Sequence, residues 1–127
     1  MLKKALIIAA LLTIGATGLM AQTNWAGAFD GDKAGTWQGS LTPYQDPCFL
    51  GTWEEYAPFD PPPHGFIRGE TIELIKNFYY VTGYILDDKN NVIGKWEGKF
   101  PAFDDALASG TWCLESGESG KWTGWSI

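Results

Sequence analysis

Five copies of Gly-x-Trp punctuate the chain: Gly35-Thr36-Trp37, Gly51-Thr52-Trp53, Gly94-Lys95-Trp96, Gly110-Thr111-Trp112 and Gly120-Lys121-Trp122. In an extended strand, residues two apart point to the same face. Each copy therefore sets a glycine beside an indole on one surface, and the glycine leaves room for a neighbouring strand's Trp to lie flat. The pattern reads as a packing code for a β-sheet. It constrains the fold more tightly than it constrains any chemistry.

The unit extends beyond three residues. Trp25-Ala26-Gly27-Ala28-Phe29, Trp37-Gln38-Gly39-Ser40-Leu41 and Trp96-Glu97-Gly98-Lys99-Phe100 share Trp-x-Gly-x-apolar, and Trp122-Thr123-Gly124 begins another. Laid without gaps over residues 94–115, residues 35–56 match at Gly35/Gly94, Trp37/Trp96, Gly39/Gly98, Asp46/Asp105, Gly51/Gly110, Thr52/Thr111 and Trp53/Trp112. This predicts a repeated strand–loop–strand unit.

Turn signals predict eight strands, over 22–29, 35–41, 49–56, 65–74, 77–86, 91–100, 107–115 and 119–126. Asp30-Gly31, Asp87-Asp88-Lys89-Asn90-Asn91 and Ser116-Gly117-Glu118 supply turn chemistry. The run Pro58-Phe59-Asp60-Pro61-Pro62-Pro63 is expected to be a stiff exposed loop, because proline cannot sit in a central strand. One face of the predicted sheet carries Gly35, Trp37, Gly39 and Leu41 with Gly94, Trp96, Gly98 and Phe100. The other carries Thr36, Gln38 and Ser40 with Lys95, Glu97 and Lys99. That alternation describes an antiparallel sheet with one buried face. The expected fold is all-β: an antiparallel eight-stranded meander, closed as a small barrel or folded as a sandwich, with the Gly-x-Trp repeats on the buried face. An outer-membrane barrel is disfavoured, since Lys95, Glu97 and Lys99 would face lipid.

Residues 1–21 read as a secretory signal peptide. Lys3 and Lys4 precede an apolar run from Ala5 to Ile14, and a small-residue stretch ends at Ala21. The apolar run is shorter than the ~20 residues of a membrane span. The expectation is a secreted or periplasmic protein with one domain over 22–127 and no membrane span after cleavage. Loss of Lys3 and Lys4 would leave seven basic residues against 15 acidic ones, a net charge of −8. The lack of a basic patch argues against a nucleic-acid partner. Cys48 and Cys113 are an even pair in an exported chain and are expected to form a disulfide. Against this, a simple eight-strand meander has Cys48 beginning one strand and Cys113 nearly ending another of the same direction, so that either a strand is miscounted between them or they do not bond.

No catalytic motif stands out, and neither a metal site nor a cofactor is expected. His64 is the only histidine and has no visible partner set. Asp30-Gly31-Asp32 and Asp104-Asp105 lack calcium-loop spacing and read as turn residues. Glu54 and Glu55 are adjacent and so face opposite sides of a strand. Three loops repeat a combination of proline, aromatic ring and aspartate: Pro43-Tyr44-Gln45-Asp46-Pro47, Pro58-Phe59-Asp60-Pro61 and Pro101-Ala102-Phe103-Asp104-Asp105. Either their rings form a rigid rim for sugar faces or a protein partner, or the rings fold back to plug the barrel end while the aspartates cap the turns. In a simple meander, Tyr44, Asp46, Phe103 and Asp105 share one end. With Phe59 they are the candidate binding residues.

Gly-Thr-Trp in an eight-strand, glycine-rich chain looks like the opening strand of the avidin family, over about three residues at a time. The beat also looks like MORN repeats, which keep a fixed longer period, whereas the glycines here step 35, 51, 94, 110, 120. No residue roles carry over from either. The functional expectation is an exported, non-enzymatic binding or surface module that recognises a glycan or protein through its Pro–aromatic–Asp loops. One alternative is a lipocalin- or avidin-like container for a small ligand, which would need a pocket of about 300 Å³ or more. Another is a small secreted hydrolase using carboxylates that converge across strands.

Overall fold

The structure is a computed structural model and describes residues 22–127 apart from Ala57, Phe59 and Asp104. The expected signal peptide, residues 1–21, and the candidate residue Phe59 lie outside the described residues. Eight strands follow in order: β1 Thr23–Gly31, β2 Gly35–Leu41, β3 Phe49–Glu55, β4 His64–Ile75, β5 Phe78–Asp87, β6 Val92–Pro101, β7 Ala108–Leu114 and β8 Ser119–Ser126. Each pairs antiparallel with the next, and β8 pairs antiparallel with β1. The meander therefore closes into a barrel, and the sandwich alternative is set aside.

The glycine–tryptophan beat specifies the register. Trp37 pairs with Gly27, Trp53 with Gly65, Trp96 with Gly83, Trp112 with Gly120 and Trp122 with Gly110. Each indole lies inward across that glycine, and its Nε1–H donates to a backbone carbonyl on the strand beyond. Trp53 donates to Leu86 at 2.9 Å, Trp37 to Thr123 and Trp112 to Asp30 at 3.1 Å each, Trp122 to Glu97 at 3.2 Å and Trp96 to Arg68 at 3.3 Å. The hydrogen bond passes through the space a side chain would fill. A Cβ added at Gly83 would stand 2.7 Å from Trp96 Nε1, one at Gly120 the same distance from Trp112 Nε1, and one at Gly65 2.8 Å from Trp53 Nε1. The indoles thus bury large apolar faces without orphaning their one polar group. Trp37, Trp96, Trp112 and Trp122 are buried, and Trp53 is half-buried.

The outer wall is polar, as the alternation requires: Thr36, Gln38, Lys95, Glu97, Thr111 and Lys121 are exposed. Hairpins β2–β3 and β6–β7 have equivalent pairing, Trp37 with Trp53 and Gly39 with Gly51, then Trp96 with Trp112 and Gly98 with Gly110. Two bulges interrupt the ladders. Glu70 is the extra residue between Gly69 and Thr71, and Ile93 is the extra residue opposite Ile85 and Leu86. The turn after β5 is fixed by the Asp87 carboxylate, which accepts the backbone N–H groups of Asn91 and Lys89 at 2.9 Å each. These bonds, that from Asn91 first, hold its carboxyl below the ordinary aspartate range. The turn's support from this carboxylate is therefore present above the ordinary range and is lost as pH falls through the lowered value.

Strand direction sorts the connections between two ends. The near end, where β1 begins, holds loops 42–48 and 102–107 and the β4–β5 turn. The far end holds loops 32–34, 56–63, 88–91 and 115–118. The near end is plugged by buried Pro43, Cys48, Pro101 and Ala108, with Trp25 beneath.

The expected disulfide is not formed; both cysteines are free. Cys48 is buried at the near end, whereas Cys113 is exposed near the far end of β7, so the length of the barrel separates them. An even cysteine count in the sequence carries no information about which end of a strand each thiol occupies. Burial is the main cause pushing the Cys48 thiol up, with the charges of Glu70 and Asp46 adding to it. In the folded protein, a thiol reagent is expected to modify Cys113 quickly and Cys48 only on unfolding. Non-reducing mass mapping after denaturation should find no Cys48–Cys113 cross-link.

Gly83→Ala should destabilise the fold by about 2–4 kcal/mol, because it combines overpacking with loss of the Trp96–Arg68 bond. Chemical denaturation gives the value. A loss below about 0.5 kcal/mol, the range of an ordinary surface change, would mean that the glycine is not reserved for the indole.

Candidate functional site

The near end gathers two of the three Pro–aromatic–Asp loops, 42–48 and 102–107, with the β4–β5 hairpin between them, while the 56–63 loop lies at the far end. Asn77 of the hairpin turn accepts the Ala102 N–H at 2.8 Å. On the other side, the Cys48 N–H donates to Gly69 of β4. Tyr44, with a left-handed backbone (φ 68°), lies close enough to Tyr79 that its phenol, second to burial, pushes the Tyr79 hydroxyl up. Tyr44 is 65 % exposed and Phe103 73 % exposed. The rings therefore do not plug the barrel; small residues and prolines do that instead. Asp46 and Asp105 are also exposed. Tyr44, Asp46, Phe103 and Asp105 share one end, on loops that flank the β4–β5 hairpin.

The concavity lies at the other end. A cavity of about 210 Å³ descends from the far end into the barrel axis. Its floor is the aromatic cluster of Trp37, Phe49, Trp96, Phe100 and Trp122, packed mostly edge to face with ring centroids such as 5.3 Å for Trp37–Trp122 and 5.5 Å for Phe49–Trp96. Its wall includes Phe29, which meets Trp112 at 6.0 Å and Trp53 at 6.5 Å, both edge on. Ile67, Ile85, Ile93 and Leu114 complete the apolar wall. Because the lining Trp37, Trp53, Trp96, Trp112 and Trp122 each spend their N–H on a backbone carbonyl, they present only apolar surface to the cavity. Such a lining stays dry and favours an apolar occupant.

The mouth is charged. Lys33 Nζ lies 3.6 Å from Glu55 Oε2 and 3.5 Å from Glu118 Oε2, so one ammonium is shared by two carboxylates. Glu55 and Lys33 border the cavity, whereas Glu54 points outward and is exposed. His64 stands apart, exposed, with Nδ1 3.0 Å from the Pro62 carbonyl. Among the described residues no group of three or more histidine, cysteine or acidic side chains is placed to hold a metal ion.

A wider depression crosses the outer wall of β4–β7 and includes Thr71, Tyr80, Thr82 and Glu97. Thr71 and Thr82 already hydrogen-bond each other across it, and it is an open solvated surface. The interior cavity is the better-formed site.

The inward indoles, Phe100 and Leu114 follow from strand parity, but the rest of the lining was hidden in the sequence for two reasons. Lys33 and Glu55 come together only when the barrel folds. Ile93 reaches the wall because a bulge places it there, which strand alternation does not foretell. Compared with protein-family models, curated proteins and solved structures, the chain matches none.

Proposed function

We propose that the protein is an extracytoplasmic binding protein that holds a compact apolar group inside the far end of its barrel. The observation that supports this reading is the aromatic cavity of about 210 Å³. It exceeds the ~150 Å³ of an engineered apolar cavity that admits benzene. It is smaller than the ~300–1,000 Å³ typical for drug-sized ligands. The occupant is therefore the size of one ring or a short branched chain, not a lipid tail or a polycyclic cofactor. Five inward indoles narrow the barrel without filling it, an outcome between the packed barrel and the roomy container.

The reading is of binding without turnover. The lining consists of ring faces and alkyl groups, which act by excluding water. The two ionisable residues bordering the cavity, Lys33 and Glu55, are engaged with each other. Glu55 and Glu118 do approach one another through Lys33, as a hydrolase would require of two carboxylates, but the rings and alkyl groups below them supply no hydrogen-bonding group for sugar hydroxyls.

A second reading is recognition of a glycan or protein by the near-end rim, which the exposure of Tyr44 and Phe103 favours. The two readings separate experimentally. Titration with toluene, followed by indole fluorescence and by the shift in thermal midpoint, should show saturable binding and stabilisation, since a ligand that binds only the folded state raises its stability. Ile85→Trp, which fills the cavity, should abolish the effect, and Tyr44→Ala/Phe103→Ala should leave it intact. Loss of toluene binding in the rim variant, or its persistence in a folded Ile85→Trp protein, would count against the cavity.

A further inference from the structure

The charge around the cavity mouth and the aromatic character of its wall point the same way. We infer that the natural occupant is a compact organic cation, an alkylated or aryl-substituted ammonium compound, drawn to Glu55 and Glu118 and seated against ring faces. This rests on the interior-pocket reading above and specifies its ligand class.

Consider the mouth first. Lys33 is the one ammonium between Glu55 and Glu118, so the three side chains together carry a net negative charge. The surrounding far-end loops reinforce this sign, with Asp32, Asp60, Asp88 and Glu115 against Lys89. A cleft rimmed by one sign of charge concentrates ligands of the opposite sign. The Lys33 contacts, at 3.5 and 3.6 Å, are longer than a close charge-assisted hydrogen bond. Lys33 is a third exposed, so a second cation can share the carboxylates or displace it.

Consider next what lies below. Phe29, Trp53 and Trp112 stand immediately inside the mouth, and the aromatic floor follows. Ring faces carry the negative part of the aromatic quadrupole and attract cations within about 6 Å of their centroids. An alkylated ammonium suits such a wall because it is weakly hydrated and needs no hydrogen-bond partner, whereas a polar head that must accept hydrogen bonds finds the indole N–H donors already spent on backbone carbonyls. A fatty acid or another organic anion meets the reverse. Its carboxylate would sit beside Glu55 and Glu118 and over electron-rich rings, with a single lysine already engaged.

The test compares three probes of similar size on the full protein by calorimetry or indole fluorescence: benzyltrimethylammonium, its neutral isostere neopentylbenzene, and the phenylacetate anion. The expected result is a dissociation constant about tenfold lower for the cation than for the neutral compound, with the anion weakest. The preference should shrink as ionic strength rises, because the mouth charges are partly exposed. Glu55→Gln should narrow the cation-to-neutral ratio about fivefold, on the order expected for losing one partly exposed charge. If that variant does not fold, the salt series on the unaltered protein decides the same point. Equal or tighter binding of the neutral isostere would overturn the cation assignment and leave the pocket reading standing. Absence of binding by all three would overturn both.

Discussion

The fold depends on one repeated interaction: an indole laid across a cross-strand glycine, with its N–H donated to the carbonyl of the strand beyond. It occurs five times around the barrel, at Trp37, Trp53, Trp96, Trp112 and Trp122. Each bond contributes on the order of 1 kcal/mol net. The sum, about 5 kcal/mol, is comparable with the whole margin of stability of a small domain. The consequence of geometry is larger still. Each bond ties strands that are not neighbours, and Trp37 and Trp112 do so across the closing seam between β8 and β1. Closure and core packing are thus achieved by the same side chains.

The same interaction explains why a barrel this rich in tryptophan has a cavity. Indoles lying flat against the wall thicken it instead of crossing the axis. At the near end, Phe49, Phe100, Trp25 and Leu41 close the remaining space. Towards the far end, Phe29, Trp53 and Trp112 share the inward positions with the shorter Ile67, Ile85, Ile93 and Leu114, and the axis stays open. Under the proposed reading, the closed end serves stability and the open end is the entrance, where the acidic far-end loops favour the approach of cations.

Much of the architecture was legible in the sequence because it rests on local parity. Gly-x-Trp fixed which face is buried, and turn residues such as Asp87 and Gly117 placed the strand ends within two residues. Gly117 indeed takes a left-handed backbone, φ 99°. The placement of Tyr44 and Phe103 at one end followed from counting strand reversals. What was not legible depends on three-dimensional closure. The Lys33–Glu55–Glu118 mouth joins three separate connections. The opposite placement of Cys48 and Cys113 also followed from counting strand reversals, but the even cysteine count outweighed that placement in the expectation of a disulfide. The loop rings looked better suited to plug than to rim, and Tyr44 and Phe103 are instead exposed, since a proline-rich loop sequence does not say which way its ring turns.

Hydrogen exchange at the indole nitrogens tests the central interaction directly. Trp125 is half exposed on the outer wall and serves as the internal reference. Followed by NMR in deuterated buffer, the Nε1–H signals of Trp37, Trp53, Trp96, Trp112 and Trp122 should persist long after that of Trp125 has vanished, and should fade together as global unfolding becomes the only route to exchange. If those five exchange as fast as Trp125, the indole–carbonyl bonds do not hold the barrel and the account of its fold is wrong.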